Sequence, residues 1–372
     1  MDPIVTFVVP CYKLGHLLKA CVDSILEQTF TELEVLIMDD CSPDQTPEVA
    51  QSFSDARVKH IRNEVNLGHL RNYNKGIAMA RGKYIWLISA DDRLRRPYVL
   101  ERYVALMEQH PEVGYVFCPG MDLVEGEETG VLQYSVHGDR DTIFKGAEFL
   151  EKLVFANTIV APSGMVRREC YDITMFPLDM PWAGDWYLWC IFAFHYDVGY
   201  FAEPMVCYRR HTVSMTGQLM NGNLRDCSRQ DVVMPWLMKQ KAEARGYRAL
   251  IAPCLLSAAR EYARSVATRR YRTSQRFMTL EEFEQSLAEN TSDPAERAFV
   301  RRNMFVAAAD LYVWQEEYAL ARSFYLHSLR ESPWLLRSWL RFFVLSLGNV
   351  GIRLRKAFLA IRRTRTQHAS GG

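Results

Sequence analysis

No uninterrupted apolar run in the chain reaches the roughly 18 residues that a membrane-spanning helix requires. Any C-x-x-C pair is absent too: nine cysteines, an odd number, are scattered from Cys11 to Cys254. That spacing indicates neither a zinc ribbon nor a disulfide framework, and reduced thiols in a cytosolic protein are the simplest account. The opening MDPIVTFVVPCYK has an Asp and a strand-like run where a secretory signal would have basic residues and a longer apolar core. The expected location is therefore cytoplasmic, with contact to the inner face of a membrane left open. Excess charge is missing as well. The formal net charge is +1, so the overall balance points to no polyanionic partner, and no nucleic-acid partner is expected. Acidic residues are missing from one segment in particular: residues 332–372 hold eight Lys/Arg and no Asp/Glu, which leaves −7 for the rest of the chain. What is present, 49% apolar and 24% charged residues, excludes a mostly disordered or collagen-like chain. The 372 residues leave room for a catalytic domain plus an appendage.

The first third alternates strand and helix signals. Ile4 to Val9 is a β-branched run that stops at Pro10, and Leu14, Leu17, Leu18, Cys21, Val22, Ile25 and Leu26 then recur at helical spacing. Leu33 to Met38, Val58 to Ile61, Tyr84 to Ser89 and Gly114 to Cys118 read as further strands, with helices expected over 48–53, 70–80 and 97–110. This order predicts an α/β fold with a doubly wound, mostly parallel sheet flanked by helices. Ligands of such sheets sit beyond the carboxyl ends of the strands. Pro10-Cys11-Tyr12, Asp39-Asp40 and Asp91-Asp92 fall at those ends. A Gly/Glu-rich loop is expected at 125–130, a strand at 131–136 and a helix at 186–196. After about residue 225 strand signals nearly vanish, and an all-helical C-terminal region is expected. Residues 303–333 read as two antiparallel helices, with Ala308, Tyr312, Tyr318, Ala321, Leu329 and Pro333 placed as in one tetratricopeptide-like hairpin. Three regions are thus expected: 1–222, a catalytic α/β domain; 223–333, a helical domain; and 334–372, a basic amphipathic helical tail.

Two adjacent carboxylates at a strand end repel one another unless a cation is shared. A hard divalent ion such as Mg²⁺ or Mn²⁺ would bridge Asp91 and Asp92 to phosphate oxygens, while the bland reading is a helix cap before Arg93. Asp39 and Asp40 admit a turn or the recognition of a nucleobase N–H, which an ionised carboxylate can only accept. Tyr12 could stack on a base and Arg71 could fork onto a base or phosphate, though singly a Tyr is more often core and an Arg solvated surface.

The order of these segments carries more than any one of them. FVVPCYKLGHLLKACVDSILEQTFTELEVLIMDDCSPDQT, then NEVNLGHLRNYNKGIAMARGKYIWLISADD, then GDWYLW, then YRRHTVSMT, over roughly residues 4–217, resemble the family 2 glycosyltransferases, which have the GT-A fold. The resemblance implies that Pro10 and Tyr12 line the nucleotide site, that Asp40 accepts the base N–H, and that Arg71 sits over base or phosphates. It implies that Asp91 approaches the ribose, that Asp92 holds the metal, and that Asp185 is the base of an inverting single displacement. Arg209 would clamp the diphosphate and His211 would reach the metal, while a surface loop stays open as the plainer account. Trp182, Trp186, Tyr187 and Trp189 would exclude water and stack on sugar rings. The sequence departs from the family at Ser89, where many members have Asp, and at Gly184, where many have Glu.

The implied activity is a metal-dependent, hexosyltransferase-type glycosyltransferase using Mn²⁺ or Mg²⁺. Its partners would be a nucleotide-sugar donor, most often UDP-linked in this family, and a glycan or lipid-linked glycan acceptor, as in polysaccharide biosynthesis. In the tail, Leu354, Phe358 and Ile361 share a stripe flanked by Arg353, Arg355, Lys356, Arg362, Arg363 and Arg365. That pattern suits peripheral membrane contact or ordinary packing with a solvated basic face. Two other classes stay open: a nucleotidyltransferase, for which PCYKLGH is a poor phosphate loop, and a non-catalytic scaffold with a vestigial nucleotide-binding domain.

Overall fold

The computed structural model describes residues 2–211, 214–267 and 277–348. The chain divides into two compact units, Met1–Asn223 and Leu224–Gly372. The front unit carries an eight-stranded sheet. Its strands are β1 (Val5–Cys11), β2 (Leu33–Asp39), β3 (Val58–Arg62), β4 (Tyr84–Leu87), β6 (Val113–Phe117), β9 (Thr142–Phe144), β10 (Met165–Arg167) and β11 (Asp197–Tyr200), in the order β3-β2-β1-β4-β10-β6-β11-β9. A second sheet, in the order β5-β12-β7-β8, joins β5 (Arg93–Leu94), β7 (Gly120–Val124), β8 (Glu127–Val131) and β12 (Val206–Arg210).

The sheet is parallel from β3 to β4, with Val5 to Cys11 in register against Leu33 to Asp39. Beyond β4 it becomes mixed, because β10 runs antiparallel to both β4 and β6, and β9 antiparallel to β11. Both β1 and β2 are buried along their whole length, as central strands covered on both faces must be. Trp86 is fully buried between the stacked rings of Phe7, at 5.4 Å, and Tyr103, at 4.5 Å. The helix His69–Met79 lies close on β1 and β2 because Gly76 has no side chain: a Cβ there would stand 2.5 Å from Val8 Cγ1.

Several expectations are corrected locally. Residues 125–130 are the turn and outgoing strand of the β7–β8 hairpin, with Glu125 at φ 52° and Gly126 at φ 91°. The strand expected at 131–136 is instead the end of β8 followed by a short 3₁₀ turn, Gln133–Ser135. Asp91 and Asp92 cap no helix, since β5 follows and the next helix starts at Val99. The helix expected at 186–196 runs Gly184–Ala193.

The second unit is helical throughout its described residues. Helices Pro294–Trp314 and Tyr318–Glu331 form the hairpin, with Ala308, Tyr312, Ala321 and Leu329 buried. The first begins well before 303, where Asp293 accepts a hydrogen bond from Ala295 N at 2.8 Å and Pro294 occupies the first turn. The stripe of Leu354, Phe358 and Ile361 lies outside the described residues.

Candidate active site

The strand order reverses direction on either side of β1, so a crevice opens beyond the carboxyl ends of β1, β2 and β4. A cavity of about 240 Å³ lies there, lined by Pro10, Tyr12, Asp40, His69, Tyr73 and Ser89 among others. Pro10 lies near the end of β1 and Tyr12 just beyond it, and Tyr12 is 37% exposed with the Lys13 ammonium 5.1 Å from its ring centre.

Asp39 ends β2, Asp40 follows it, and both are buried. Asp39 points away into an ion pair with Arg62 at 2.6 Å and also meets His60 at 3.3 Å and Ser42 N at 2.8 Å. Asp40 accepts from Asn63 Nδ2 and Leu67 N, both at 2.8 Å on Oδ1, and from Gly68 N at 2.9 Å on Oδ2. Gly68 can offer that N–H because its φ is +79°, a conformation an L side chain seldom adopts. With one donor on Oδ2, the carboxylate retains acceptor capacity toward the cavity it lines.

Asp91 and Asp92 follow β4. Asp91 Oδ2 meets His211 Nε2 at 2.8 Å, whereas Asp91 Oδ1 is buried with no hydrogen-bond partner among the described residues. Asp92 Oδ1 accepts from Arg209 N at 2.9 Å, and Arg209 Nε donates to the Asp91 carbonyl at 2.8 Å. Arg209 and His211, at the end of β12, are thus fastened to the acidic pair through backbone and side chain. His211 is paired with Asp91 rather than with Asp92. Burial, and then the charge of Asp91, hold the Asp92 carboxyl well above the usual carboxylate range. Arg210 turns outward to an ion pair with Asp122 at 2.9 Å.

Asp185 sits in the first turn of Gly184–Ala193, with Oδ1 on Trp186 N at 2.7 Å and Oδ2 on Asn157 Nδ2 at 2.9 Å. It is half-buried, and burial raises its carboxyl above the ordinary value against the pull of those two hydrogen bonds. Two phenols tie it to the other acids. Burial first, and then the charges of Asp91, Asp185 and Asp92, push the Tyr73 hydroxyl far up. The Tyr208 phenol is pushed up to about 12 by burial, with Asp92, Asp91 and Asp185 adding to it. All three carboxylates therefore lie within electrostatic reach of Tyr73, which lines the same cavity as Asp40.

Some expected residues lie elsewhere. Arg71 is on the exposed face of its helix and is not among the residues lining the cavity. Trp186 and Trp189 are buried, 3% and 6% exposed, so they cannot stack on a sugar. Trp186 donates to Leu153 O at 2.7 Å, and Trp189 packs on Tyr115 at 5.1 Å. Trp182 and Tyr187 are half-buried. Sequence reasoning missed His69, Asn72, Tyr73 and Asn157. The first three share one helix face at i, i+3 and i+4, a spacing that was legible in NLGHLRNY.

Residues 6–165 match the description "Glycosyl transferase family 2". The domain belongs to the family 2 glycosyltransferases. The glycosyltransferase domain has relatives to match. An uncharacterized glycosyltransferase of Haemophilus influenzae is 25% identical over 239 residues, 62% of this chain and 73% of that protein. The glycosyltransferase GlyG of Streptococcus pneumoniae is 32% identical over 115 residues, 30% of this chain and 38% of its own length. The chain thus spans about three quarters of the first relative and little more than a third of the second. Among solved structures, S. aureus TarS 1-349 in complex with UDP-GlcNAc aligns with a TM-score of 0.59 at 14% identity, covering 93% of this chain and 90% of that one. The complex of the same protein with UDP aligns with a TM-score of 0.57 at 15% identity, with the same coverage. The fold is GT-A.

Among the described residues no three His, Cys, Asp or Glu side chains are gathered as a ready-made metal cage. The acidic pair nevertheless fits a divalent cation. Asp91 Oδ1 is a buried oxygen without a hydrogen-bond partner among the described residues, and burial and the charge of Asp91 push the Asp92 carboxyl up more than the charge and N–H of Arg209 pull it down. Mg²⁺ and similar ions are commonly held by one or two carboxylates, with phosphate oxygens and water completing the shell.

Proposed function

We propose that the chain transfers a sugar, with inversion, from a nucleoside-diphosphate donor to a hydroxyl of a glycan or lipid-linked glycan. The single observation that supports this reading is that Asp91, Asp92 and Asp185 all lie within electrostatic reach of Tyr73, which lines the same cavity as Asp40. The base of the donor would lie against Tyr12, with its ring N–H on Asp40 Oδ2. A uracil base offers one such N–H, and the structural neighbour TarS is complexed with UDP and UDP-GlcNAc, which favours a UDP-linked sugar. Asp92 and the Asp91–His211 pair would hold a Mn²⁺ or Mg²⁺ ion. When bound, that ion supplies positive charge to the leaving diphosphate. Arg209, anchored on the Asp91 carbonyl, would add a second positive charge beside it.

Asp185 would act on the opposite face of the sugar. It accepts the proton of the acceptor hydroxyl as the hydroxyl oxygen bonds to the anomeric carbon, while the bond from that carbon to the diphosphate oxygen breaks. Burial makes this carboxylate a better proton acceptor than a solvated one, and Asn157 and the Trp186 N–H fix its orientation. A nucleotidyltransferase would leave Asp185 without a task, and a scaffold would have no use for the unpartnered Asp91 oxygen.

A thermal-shift screen of nucleoside-diphosphate sugars with Mn²⁺ or Mg²⁺ identifies the donor, because a ligand that binds only the native state raises its melting point. Transfer to a simple acceptor, followed by proton NMR of the first product, should show the opposite anomeric configuration to the donor. Retention of configuration would overturn the single displacement.

A further inference from the structure

The last described helix has two apolar faces, and the described residues cover one of them. Leu336–Ser346 packs Leu345, Phe342 and Ser338 toward the helical core, where Leu345 is 5% exposed. At 3.6 residues per turn, Leu336, Leu340, Phe343 and Leu347 fall on the opposite side within about 60° of arc. Those four are 81%, 66%, 58% and 59% exposed, and Trp334 just before them is 84% exposed. The bare face is ordered rather than frayed. Trp339 donates to Pro333 O at 2.7 Å and stacks on Phe343 at 5.5 Å. A continuous exposed apolar stripe of this kind marks an interaction surface.

The charge around the stripe says what it meets. Arg337 lies beside it, Arg341 turns to an ion pair with Asp310 at 2.7 Å, and six more Lys/Arg follow in the sequence from Arg353 to Arg365, with no Asp/Glu anywhere in 332–372. Two copies of the chain meeting on this face would bring together two segments that each carry an excess of at least seven positive charges after the Arg341–Asp310 pair is counted. A surface of fixed negative charge over an apolar interior satisfies both halves of the pattern. We infer that the helix Leu336–Ser346 docks on an anionic lipid surface, burying Trp334, Leu336, Leu340, Phe343 and Leu347 at the headgroup boundary. This goes beyond the glycosyltransfer reading and stands without it, since it concerns neither the donor nor Asp185.

The test uses the full chain in vesicle co-sedimentation, with phosphatidylcholine vesicles prepared with and without phosphatidylglycerol. Wild type should partition onto the anionic vesicles at least about tenfold better, and raised salt should weaken that binding. The double variant Leu340→Asp/Phe343→Asp should lose about tenfold or more of the partition. Its melting point and its donor-induced thermal shift should stay unchanged, because both side chains are already solvent-exposed. Leu340→Ala/Phe343→Ala should move in the same direction by less, which guards against a folding defect in the charged variant. Unchanged vesicle binding in both variants overturns the inference, as does equal binding to neutral vesicles. A wild-type dimer in sedimentation equilibrium that the variant converts to monomer, with no vesicle binding by either, assigns the face to a second copy instead. Loss of the donor-induced shift in wild type would count against the glycosyltransfer reading alone.

Discussion

The chain has two pairs of consecutive aspartates at strand ends, and the fold treats them in opposite ways. At the end of β2, Asp39 has Arg62 and Asp40 has three N–H donors, so every charge has an answer within the protein. At the end of β4, Asp91 keeps a buried oxygen without a partner, and the Asp92 carboxyl is driven up by burial and by its neighbour. The same dipeptide has a partner on every carboxylate oxygen of Asp40 in one place, and in the other leaves one buried oxygen of Asp91 without a hydrogen-bond partner among the described residues. Residue type did not make the difference. The first pair is followed by Arg62, Asn63 and the 67–68 backbone, and the second by β5 and the end of β12.

The comparison can be broken most sharply at the third carboxylate. Asp185→Asn should lower kcat by about a thousandfold or more while leaving donor affinity nearly intact. Calorimetric loss of donor binding in that variant would place Asp185 with the binding pair instead. Next, Asp92→Ala should weaken cation-dependent donor binding on the order of tenfold or more. Unchanged, cation-independent affinity would remove the metal assignment. The two pairs should then diverge in stability. Asp40→Ala strands three donors and should cost about 3 kcal/mol by urea denaturation. Asp91→Asn removes one of two buried like charges, and should leave the donor-free protein as stable or firmer by on the order of 1 kcal/mol. Equal losses at both sites would erase the contrast between a completed and an uncompleted pair.

A subtler effect concerns pH. Burial raises the Asp185 carboxyl above its ordinary 3.8, and the base works only when ionised. Activity should therefore fall as pH drops through that raised value, with the acid limb of kcat/KM lying above 3.8. Asn157→Ala removes a hydrogen bond to the ionised form and should move the limb further up. A limb that stays in place would leave Asn157 without a role in holding the base.

The parallel half of the sheet and the acids at its strand ends were legible because short apolar runs stop at Pro10 or at paired aspartates. Ile4 to Val9 and Leu33 to Met38 carry their fold in their composition. The second sheet was not legible. Strand β8 reads EETGV, an exposed edge with no apolar alternation, and it exists because β7 and a turn with Gly126 at φ 91° present it. The tryptophans misled for a related reason. The GDWYLW helix is apolar nearly all round, so composition alone could not say which rings face the crevice and which face Tyr115. His69, Asn72 and Tyr73 were overlooked because polar side chains on a buried helix face look like breaks in a pattern, whereas here they are the cavity wall.

A last carboxylate lies at the opposite, amino-terminal end of β2. Glu34 is buried, 3% exposed, and receives Thr6, Lys59 and Arg81. Burial alone would raise its carboxyl, but the hydrogen bonds of Arg81, Lys59 and Thr6 outweigh it and lower the value from 4.5 to about 2. A carboxyl depressed in the folded state adds stability that is fully present above its unfolded value and is lost as pH falls through the folded one. Glu34→Gln should therefore cost about 2 kcal/mol at neutral pH. The gap between wild type and variant should close as pH falls from 4.5 toward about 2. A constant gap across that range would mean that Glu34 acts through packing rather than charge.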